Sequence, residues 1–407
     1  MKIGIFSDTH LGFDEKGERV SESFEMLEQA IGLCIEQGVD AIAVAGDIFD
    51  AAVPSHDSLF RAVNSFSSAL KGSSPVKIFA GKNGVRTQVH FSGVPVIVIH
   101  GNHEFLGRHT RTALDVLNAS GHVIYLHAAS AAIEKGGERA FLHCLGAVPE
   151  KRALEVLRAW GPKPVREACN IMLVHQAFRE FMAIDDEMVA SLSLDDLPEG
   201  FDLVVDGHLH WRSEQKLKGC TFVLAGSTIC TSIKKLEAEK PKGVYFFDTA
   251  SRGLSFVPFH SQRRSFYHRL EFAAAEPVDV LSACRKAVLA DLASVQGMKP
   301  LVRLNLKGTL KKGLSSSDLD LSGFLAEFSG RAIISASKNF SNLSFRRRIS
   351  ELREMQKSRL SVAAMGMEML EKNLAETDIG SGFESARLFA LLVDDDLDAA
   401  MEMFSKP

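Results

Sequence analysis

Five short clusters of residue types that bind divalent cations follow one another along the chain. They are Asp8-Thr9-His10, Gly46-Asp47-Ile48-Phe49-Asp50, Gly101-Asn102-His103-Glu104, His175-Gln176 and Gly207-His208-Leu209-His210. Carboxylate oxygen, amide oxygen and imidazole nitrogen together suit borderline-hard ions such as manganese, iron or zinc. Asp8 and His10 are two residues apart, as are His208 and His210, so strand geometry continuing through each pair would point both side chains to one face. The donors suffice for two cations that share one bridging carboxylate. A lone histidine is more often a satisfied structural group than a ligand, and that reading is given to His56, His90, His109, His122, His127, His143, His260 and His268. His100 ends a buried strand and is given no role. Five clusters in this order, each after an apolar run, are read as a two-metal site.

The elements that must position these clusters are legible in the same stretch. Residues 2–7 read as a strand, and Ser21 to Gln37 as an amphipathic helix with Phe24, Leu27, Ile31 and Ile35 at helical spacing and Gly38 as its stop. Ala41–Ala45, Val94–His100, Ile171–Val174 and Leu203–Val205 are short apolar runs, each ending in a polar cluster. Strands alternating with helices predict an α/β architecture, in which active sites lie where the strands end. Val76–Ala80 and Val85–Phe91 flank Lys82-Asn83-Gly84, which predicts an inserted β-hairpin. The Gly81-Lys82 pair there lacks the rest of a phosphate-binding loop.

The chain has 407 residues, of which 46% are hydrophobic and 24% charged, so two or three globular domains are expected and a disordered chain is excluded. No run approaches the roughly 20 apolar residues of a membrane-spanning helix. The opening Met1–Phe6 runs straight into polar residues, unlike a signal peptide, and six scattered cysteines without a Cys-x-x-Cys pair argue against a zinc ribbon or disulfide scaffold. A soluble protein of the cytoplasm is expected.

After Phe259 the pattern changes. Strands are predicted at 265–272, 301–307 and 331–337, with helices near 278–293 and 317–328, as in a small α+β domain. From Phe345 onward the pattern is helical, with apolar stripes through Ile349–Leu374 and Phe383–Phe404 separated by Gly380-Ser381-Gly382. These two helices either fold back onto the preceding domain or dock onto a partner, and composition leaves the two even. The net charge of -4 discourages indiscriminate DNA coating, but it is unevenly spread. Residues 1–260 carry 26 Lys+Arg against 32 Asp+Glu, residues 261–345 carry 12 against 7, and residues 346–407 carry 9 against 12. The middle segment alone is basic, where phosphate contacts would be needed. Arg263, Arg264, Lys311 and Lys312 are its paired charges and its candidate DNA-binding residues, although solvated surface is the commoner meaning of such pairs.

The ordered set Asp-x-His, Gly-Asp-x-x-Asp, Gly-Asn-His-Glu, His-Gln and Gly-His-x-His resembles that of the calcineurin-like metallophosphoesterases over residues 1–230. Gly226-Ser227-Thr228, Thr231-Ser232, Leu236-Glu237 and Lys242-Gly243-Val244 narrow the likeness. They look like the end of the nuclease domain in double-strand-break-repair exonucleases of the meiotic recombination eleven and SbcD type. The fold this implies is a metallophosphoesterase β-sandwich flanked by helices, plus a small α+β capping domain and a C-terminal helical segment. Its domains would be 1–260 (nuclease), 261–345 (capping and DNA-binding) and 346–407 (gripping an SMC-like coiled-coil ATPase).

By the same resemblance, Asp8, His10 and His210 hold one Mn2+, Asn102, His175 and His208 hold the other, and Asp47 bridges them. Two cations roughly 3.5–4 Å apart acidify a water and neutralise charge on attacking and leaving oxygens. His103 is then the candidate for protonating or polarising the leaving oxygen. Asp50 stands where several relatives carry histidine, and orienting a metal-ligand histidine is its expected part. The activity implied is 3′-to-5′ exonuclease and single-strand endonuclease on DNA ends. Alternatives are hydrolysis of a small phosphodiester and a DNA-end scaffold for the ATPase. A homodimer through helices at about 55–70 and 108–119 is implied as well, with Phe60, Val63, Phe66 and Leu70 giving the first an apolar stripe that could equally be core.

Overall fold

Strands in the computed structural model form where the sequence runs apolar without interruption, and parity decides which layer each side chain enters. The model describes residues 1–82, 85–105, 110–182, 191–217, 219–340, 366–367, 370–371 and 385–393. Ile42 and Val44, with Val96 and Val98, face one apolar cluster, while Ala41, Ala43 and Ala45, with Ile97 and Ile99, face another. A strand covered on both faces needs apolar residues at every position, which explains why these runs do not alternate with polar ones.

The first sheet has six strands in the order Leu254–Pro258, Gly243–Asp248, Lys2–Phe6, Ala41–Val44, Val96–Val98 and Ile124–Tyr125. The last four run parallel. The second sheet has eight, in the order Ser213–Leu217, Cys220–Leu224, Leu203–Asp206, Cys169–Val174, Glu138–Leu145, Ala129–Lys135, Lys77–Lys82 and Val85–Val89. Its parallel part is Glu138–Leu145, Cys169–Val174, Leu203–Asp206 and Cys220–Leu224. The two sheets pack through Ile3, Ile5, Ile97, Ile171, Leu173, Leu203, Val205 and Val223, among others. Helices Glu22–Glu36, His56–Phe66 and Ala113–Ala119 cover the outer face of the first sheet, and Phe24, Leu27, Ile31 and Cys34 form the buried stripe of the first of them.

Register brings the parallel strands to a common end. Phe6 lies opposite Val44, and Val44 opposite Val98. Asp206 lies opposite both Val174 and Leu224. The residues after each strand therefore emerge side by side. The predicted hairpin forms as the edge of the second sheet, with Lys82 opposite Val85; its turn residues Asn83 and Gly84 lie outside the described residues.

Three further strands, Ser265–Ala275, Leu301–Leu310 and Ile333–Phe340, form a sheet in that order. Helices Pro277–Ala293 and Ser322–Phe328 lie between them in sequence. Along the central strand, Val302, Leu304 and Leu306 are buried and Arg303, Asn305 and Lys307 are only partly so, as alternation predicts. By internal contacts the chain divides into two compact units. One holds Met1–His268, Ala287–Leu304 and Leu325–Ser335; the other holds Arg269–Lys286, Asn305–Phe324 and the described residues after Ser335. Of the helical pattern read between 346 and 407, Ser385–Val393 is a helix that buries Leu388, and most of the remainder lies outside the described residues. Among those described, no helix is long and apolar enough to cross a membrane.

Candidate metal centre

The strand that leads to Asp8 and His10 stops at Phe6. Strand geometry does not persist through the pair, so the condition under which their spacing would align the two side chains is not met. Both residues instead lie in the left-handed region, with φ of 52° and 46°. Their backbone N–H groups donate to Gly46 O at 2.9 Å and Asp47 O at 3.0 Å. Asp47 and His208 also have positive φ, 47° and 69°. Four of the seven expected ligands thus occupy a conformation that costs a non-glycine residue about 1–3 kcal/mol, a cost that clusters at functional sites. Gly101 is required for a different reason: a Cβ there would lie 2.0 Å from Asp47 Oδ1.

The clusters converge. Ligand-capable atoms of Asp8, His10 and His210 lie within 4.8 Å of one another, and so do those of Asp8, Asp47 and His175. A third such group joins His10, Asp50 and His103. His10 Nε2 is 3.2 Å from His210 Nε2, and His175 Nε2 is 3.2 Å from Asp47 Oδ2. Asn102 Nδ2 lies 3.0 Å from His208 Nδ1, and the His175 and His208 rings are 5.5 Å apart. Asp8, common to the first two groups, accepts from the His208 N–H at 3.1 Å.

Several of these atoms lack a partner that burial would normally demand. Asp8 Oδ2 and His175 Nε2 are buried and make no hydrogen bond. The other nitrogen of His175 donates to Ala45 O at 2.7 Å, so Nε2 is left with the Asp47 carboxylate alone, 3.2 Å away. Buried polar atoms are almost always satisfied, and metal-ligating histidines commonly give their second nitrogen to a carbonyl or carboxylate. The donor set fits divalent cations.

The buried groups of the centre also act strongly on one another's charge. Burial pushes Asp8 above the ordinary carboxylate range, offset in part by His175. Burial also disfavours ionised Asp47, but His175 beside it outweighs that and holds the carboxyl far below its usual value. Against its own burial, His175 is pushed up to about 10 by Asp47. Burial lowers His208 to about 4 and His210 to about 2, assisted by their histidine neighbours, so both imidazoles are neutral and able to ligate at pH 7.

His103 and Asp50 stand beside these groups. Asp50 Oδ1 lies 3.0 Å from His10 Nδ1, and His103 Nδ1 donates to Asp50 O at 2.6 Å. The His103 N–H donates to Asp47 Oδ1 at 2.9 Å. Both Asn102 and His103 are exposed. Of the candidate DNA contacts, Arg263 is largely withdrawn from solvent: it bonds Glu22 at 2.7 Å and Lys299 O at 2.6 Å. Arg264 is exposed beside Phe266. Lys312 is exposed, and so is Lys311, which pairs with Glu276 at 2.5 Å. Among the histidines read as structural, His268 pairs with Asp291, His143 with Ser130 and His122 with Ser67. His100 is buried and bonded to Ala147 O, while His109 lies outside the described residues.

Three features escaped sequence reasoning. Glu104 is buried and accepts from Phe49 N at 2.6 Å and Gly101 N at 2.7 Å, tying the second cluster to the third. Burial, then the Asp47 charge, pushes it up to about 7. Asp206 is fully buried at the end of its strand, accepts from Gln176 N at 3.0 Å and is pushed well above the carboxylate range by burial. Lys242 and Glu237 form a buried pair against His210. Glu104 was a named member of the third cluster but had no role given to it, Asp206 lies beside the last cluster, and the pair's own motif was visible while its target was not.

A family model described as calcineurin-like phosphoesterase matches residues 1–212. The chain is similar to the double-strand break repair protein MRE11 of Homo sapiens, 26% identical over 312 residues that cover 67% of this chain and 43% of that one. The Arabidopsis thaliana protein of the same name is 25% identical over 365 residues, 79% of this chain and 49% of its own length. The DNA double-strand break repair protein Mre11 of Thermoplasma acidophilum is 26% identical over 258 residues, 60% of this chain and 61% of its own. The chain spans about half the length of the curated relatives it matches.

Proposed function

This chain belongs to the calcineurin-like phosphoesterase family, and we propose that it is a manganese-dependent DNA nuclease that processes double-strand breaks. Family membership implies a phosphoester hydrolase that uses divalent metal ions. The step from phosphoesters to DNA is supported by the similarity to double-strand break repair proteins. It is supported also by the basic excess of residues 261–345. The observation that carries the catalytic reading is the convergence of Asp8, His10, Asp47, His175 and His210 around buried, unpartnered donor atoms, with Asn102 and His208 paired alongside.

Asp8, His10 and His210 would hold one ion, Asn102, His175 and His208 the second, and Asp47 would lie between them. When bound, two such ions supply a nucleophile at neutral pH and neutralise charge on the phosphate oxygens. The chain's own residues do the rest. Asp50 orients His10 through Nδ1 and, through its carbonyl, the His103 ring. With Nδ1–H so engaged, His103 in its doubly protonated form would present Nε2–H to protonate or polarise the leaving oxygen. The exposure of Asn102 and His103 suits a site open to a polymer.

Residues 1–260 would form the nuclease domain, 261–345 the DNA-covering domain and 346–407 the segment that binds an SMC-like ATPase. Exonuclease and single-strand endonuclease activities, homodimerisation and a place in the cytoplasm, with the nucleoid where the source is a prokaryote, complete the proposal. Phe60 at 65% exposure and Leu70 at 47% support the dimer surface, whereas Phe66 of the same stripe is buried in the core and Val63 packs against it.

The test is cleavage of end-labelled duplex and single-stranded DNA in Mn2+, with Asp8→Ala and His103→Ala as controls and small phosphodiesters as competitors. Well-folded protein that cleaves no DNA, alone or with its ATPase, refutes the nuclease; preference for the small diesters reassigns the substrate. Truncation after Leu343 should abolish ATPase binding and spare cleavage.

A further inference from the structure

We propose that the buried pair Lys242–Glu237 is a positioning device for His210, acting through Thr231, and that it sets the affinity of the metal held on the His210 side. The inference rests on the reading of His210 as a ligand.

Lys242 is 8% exposed and Glu237 1%. A Lys–Glu pair at that depth pays desolvation for both charges, and a well-packed apolar pair would usually serve stability as well or better. What these two charges do is close a ring of contacts around one residue. Lys242 Nζ donates to His210 O at 2.7 Å, to Ser227 Oγ at 2.7 Å and to Glu237 Oε1 at 3.1 Å, which uses all three of its protons. Glu237 Oε1 also accepts from the Thr231 N–H at 3.1 Å, while Oε2 accepts from Ser232 Oγ at 3.3 Å. Thr231 Oγ1 in turn meets His210 Nδ1. One ammonium thus holds the carbonyl of His210, and the carboxylate paired with it holds the threonine that contacts its ring.

The contact at Nδ1 has a chemical consequence. For His210 Nε2 to offer a lone pair toward Asp8 and His10, the proton must sit on Nδ1, and an oxygen there accepts it. Partners of this kind orient a metal-bound imidazole, and their loss typically lowers metal affinity roughly 10- to 100-fold. Gly226 makes the approach possible: it has φ of +73°, and a Cβ there would lie 2.9 Å from Arg212 N and 3.2 Å from His210 O. The Gly-Ser-Thr, Thr-Ser, Leu-Glu and Lys-Gly motifs between 226 and 243 thereby acquire a shared physical task.

The test is Mn2+ binding to the full chain by calorimetry, together with the visible absorption of the Co2+-loaded protein. Thr231→Val removes the oxygen at Nδ1 at nearly constant volume and should weaken one of two Mn2+ sites at least 10-fold and change the Co2+ spectrum. Thr231→Ser should restore both. Glu237→Gln should weaken the same site, whereas Glu22→Gln, which breaks a different buried ion pair, should leave it intact. Wild-type protein without two Mn2+ sites would overturn the ligand reading itself. Two intact sites of unchanged affinity in Thr231→Val would leave that reading standing and refute the positioning role.

Discussion

His10 Nε2 and His210 Nε2 face each other at 3.2 Å from positions 200 residues apart in the chain, each ring having its Nδ1 already engaged, by Asp50 and by Thr231. Two imidazole nitrogens approach in this way around a shared proton or around a cation, and Asp8 Oδ1, 3.8 Å from His210 Nε2, adds the negative charge a cation needs.

Mn2+ should therefore stabilise the protein. At a free concentration 100 times Kd the gain is about 2.7 kcal/mol, since only the folded state assembles the ligands. Thermal unfolding with Mn2+ and with chelator measures it. His210→Ala and Asp8→Asn should lose most of the difference, and an undiminished Mn2+ effect in His210→Ala would remove that residue from the centre.

His103→Gln separates chemistry from binding. The backbone N–H that reaches Asp47 is retained, so Mn2+ affinity should stay within a few-fold of wild type. Single-turnover cleavage should fall about 10²- to 10⁴-fold, the usual contribution of a general acid. A rate loss matched by an equal loss of metal affinity would instead make His103 part of the metal shell.

Gly101→Ala forces a methyl group against Asp47, 2.0 Å from Oδ1 and 2.3 Å from the backbone nitrogen. Overpacking of this kind costs about 1–3 kcal/mol, and the displaced carboxylate should lose Mn2+ binding disproportionately to the drop in Tm. Mn2+ titration at a temperature where both proteins are folded checks this.

Stability at acid pH should depend on Glu22. Burial raises its pKa, but Arg19 and then Arg263 outweigh burial and hold the carboxyl below its ordinary 4.5. The unfolded chain therefore takes up the proton first as pH falls. The pair's contribution is full above about pH 4.5 and disappears as pH drops through the lower folded value. Urea midpoints between pH 7 and 3 should fall less steeply in Glu22→Gln than in wild type, the remaining slope belonging to the other lowered carboxylates such as Asp47. At pH 7 that variant should be less stable by about 3–5 kcal/mol, because two buried guanidinium groups lose their partner.

Arg263 and Arg264 should behave differently despite adjacency. Arg263→Ala breaks the bond to Glu22 and should lower Tm. Arg264→Ala removes an exposed charge and should leave Tm unchanged. If Arg264 contacts a phosphate, DNA binding then weakens across all sequences and the salt dependence falls by about one phosphate contact. Binding isotherms at several salt concentrations decide the matter.

The residue types and order of the five clusters, the apolar runs that precede them and the solvated alternation of Val302–Lys307 were all readable in the linear chain. Each depends on neighbours within a few residues. So was the edge hairpin, since Asn-Gly between two apolar-polar runs encodes its own turn.

Other features came only with the assembled structure. Spacing alone suggested that strand geometry aligned Asp8 with His10. Packing against Gly46 and Asp47 instead holds both residues at positive φ, a conformation their local sequence disfavours and distant backbone hydrogen bonds sustain. Arg263 read as a surface charge until Glu22, 241 residues away, withdrew it from solvent. Lys242 and Glu237 read as a motif without a target until the chain brought His210 between them. The sequence by itself determined which atoms are available for metal chemistry, because ligand type and strand propensity are local properties. Which of those atoms lack a partner, and which charges support them, was decided by the tertiary structure, because desolvation and hydrogen-bond satisfaction depend on every segment that packs nearby.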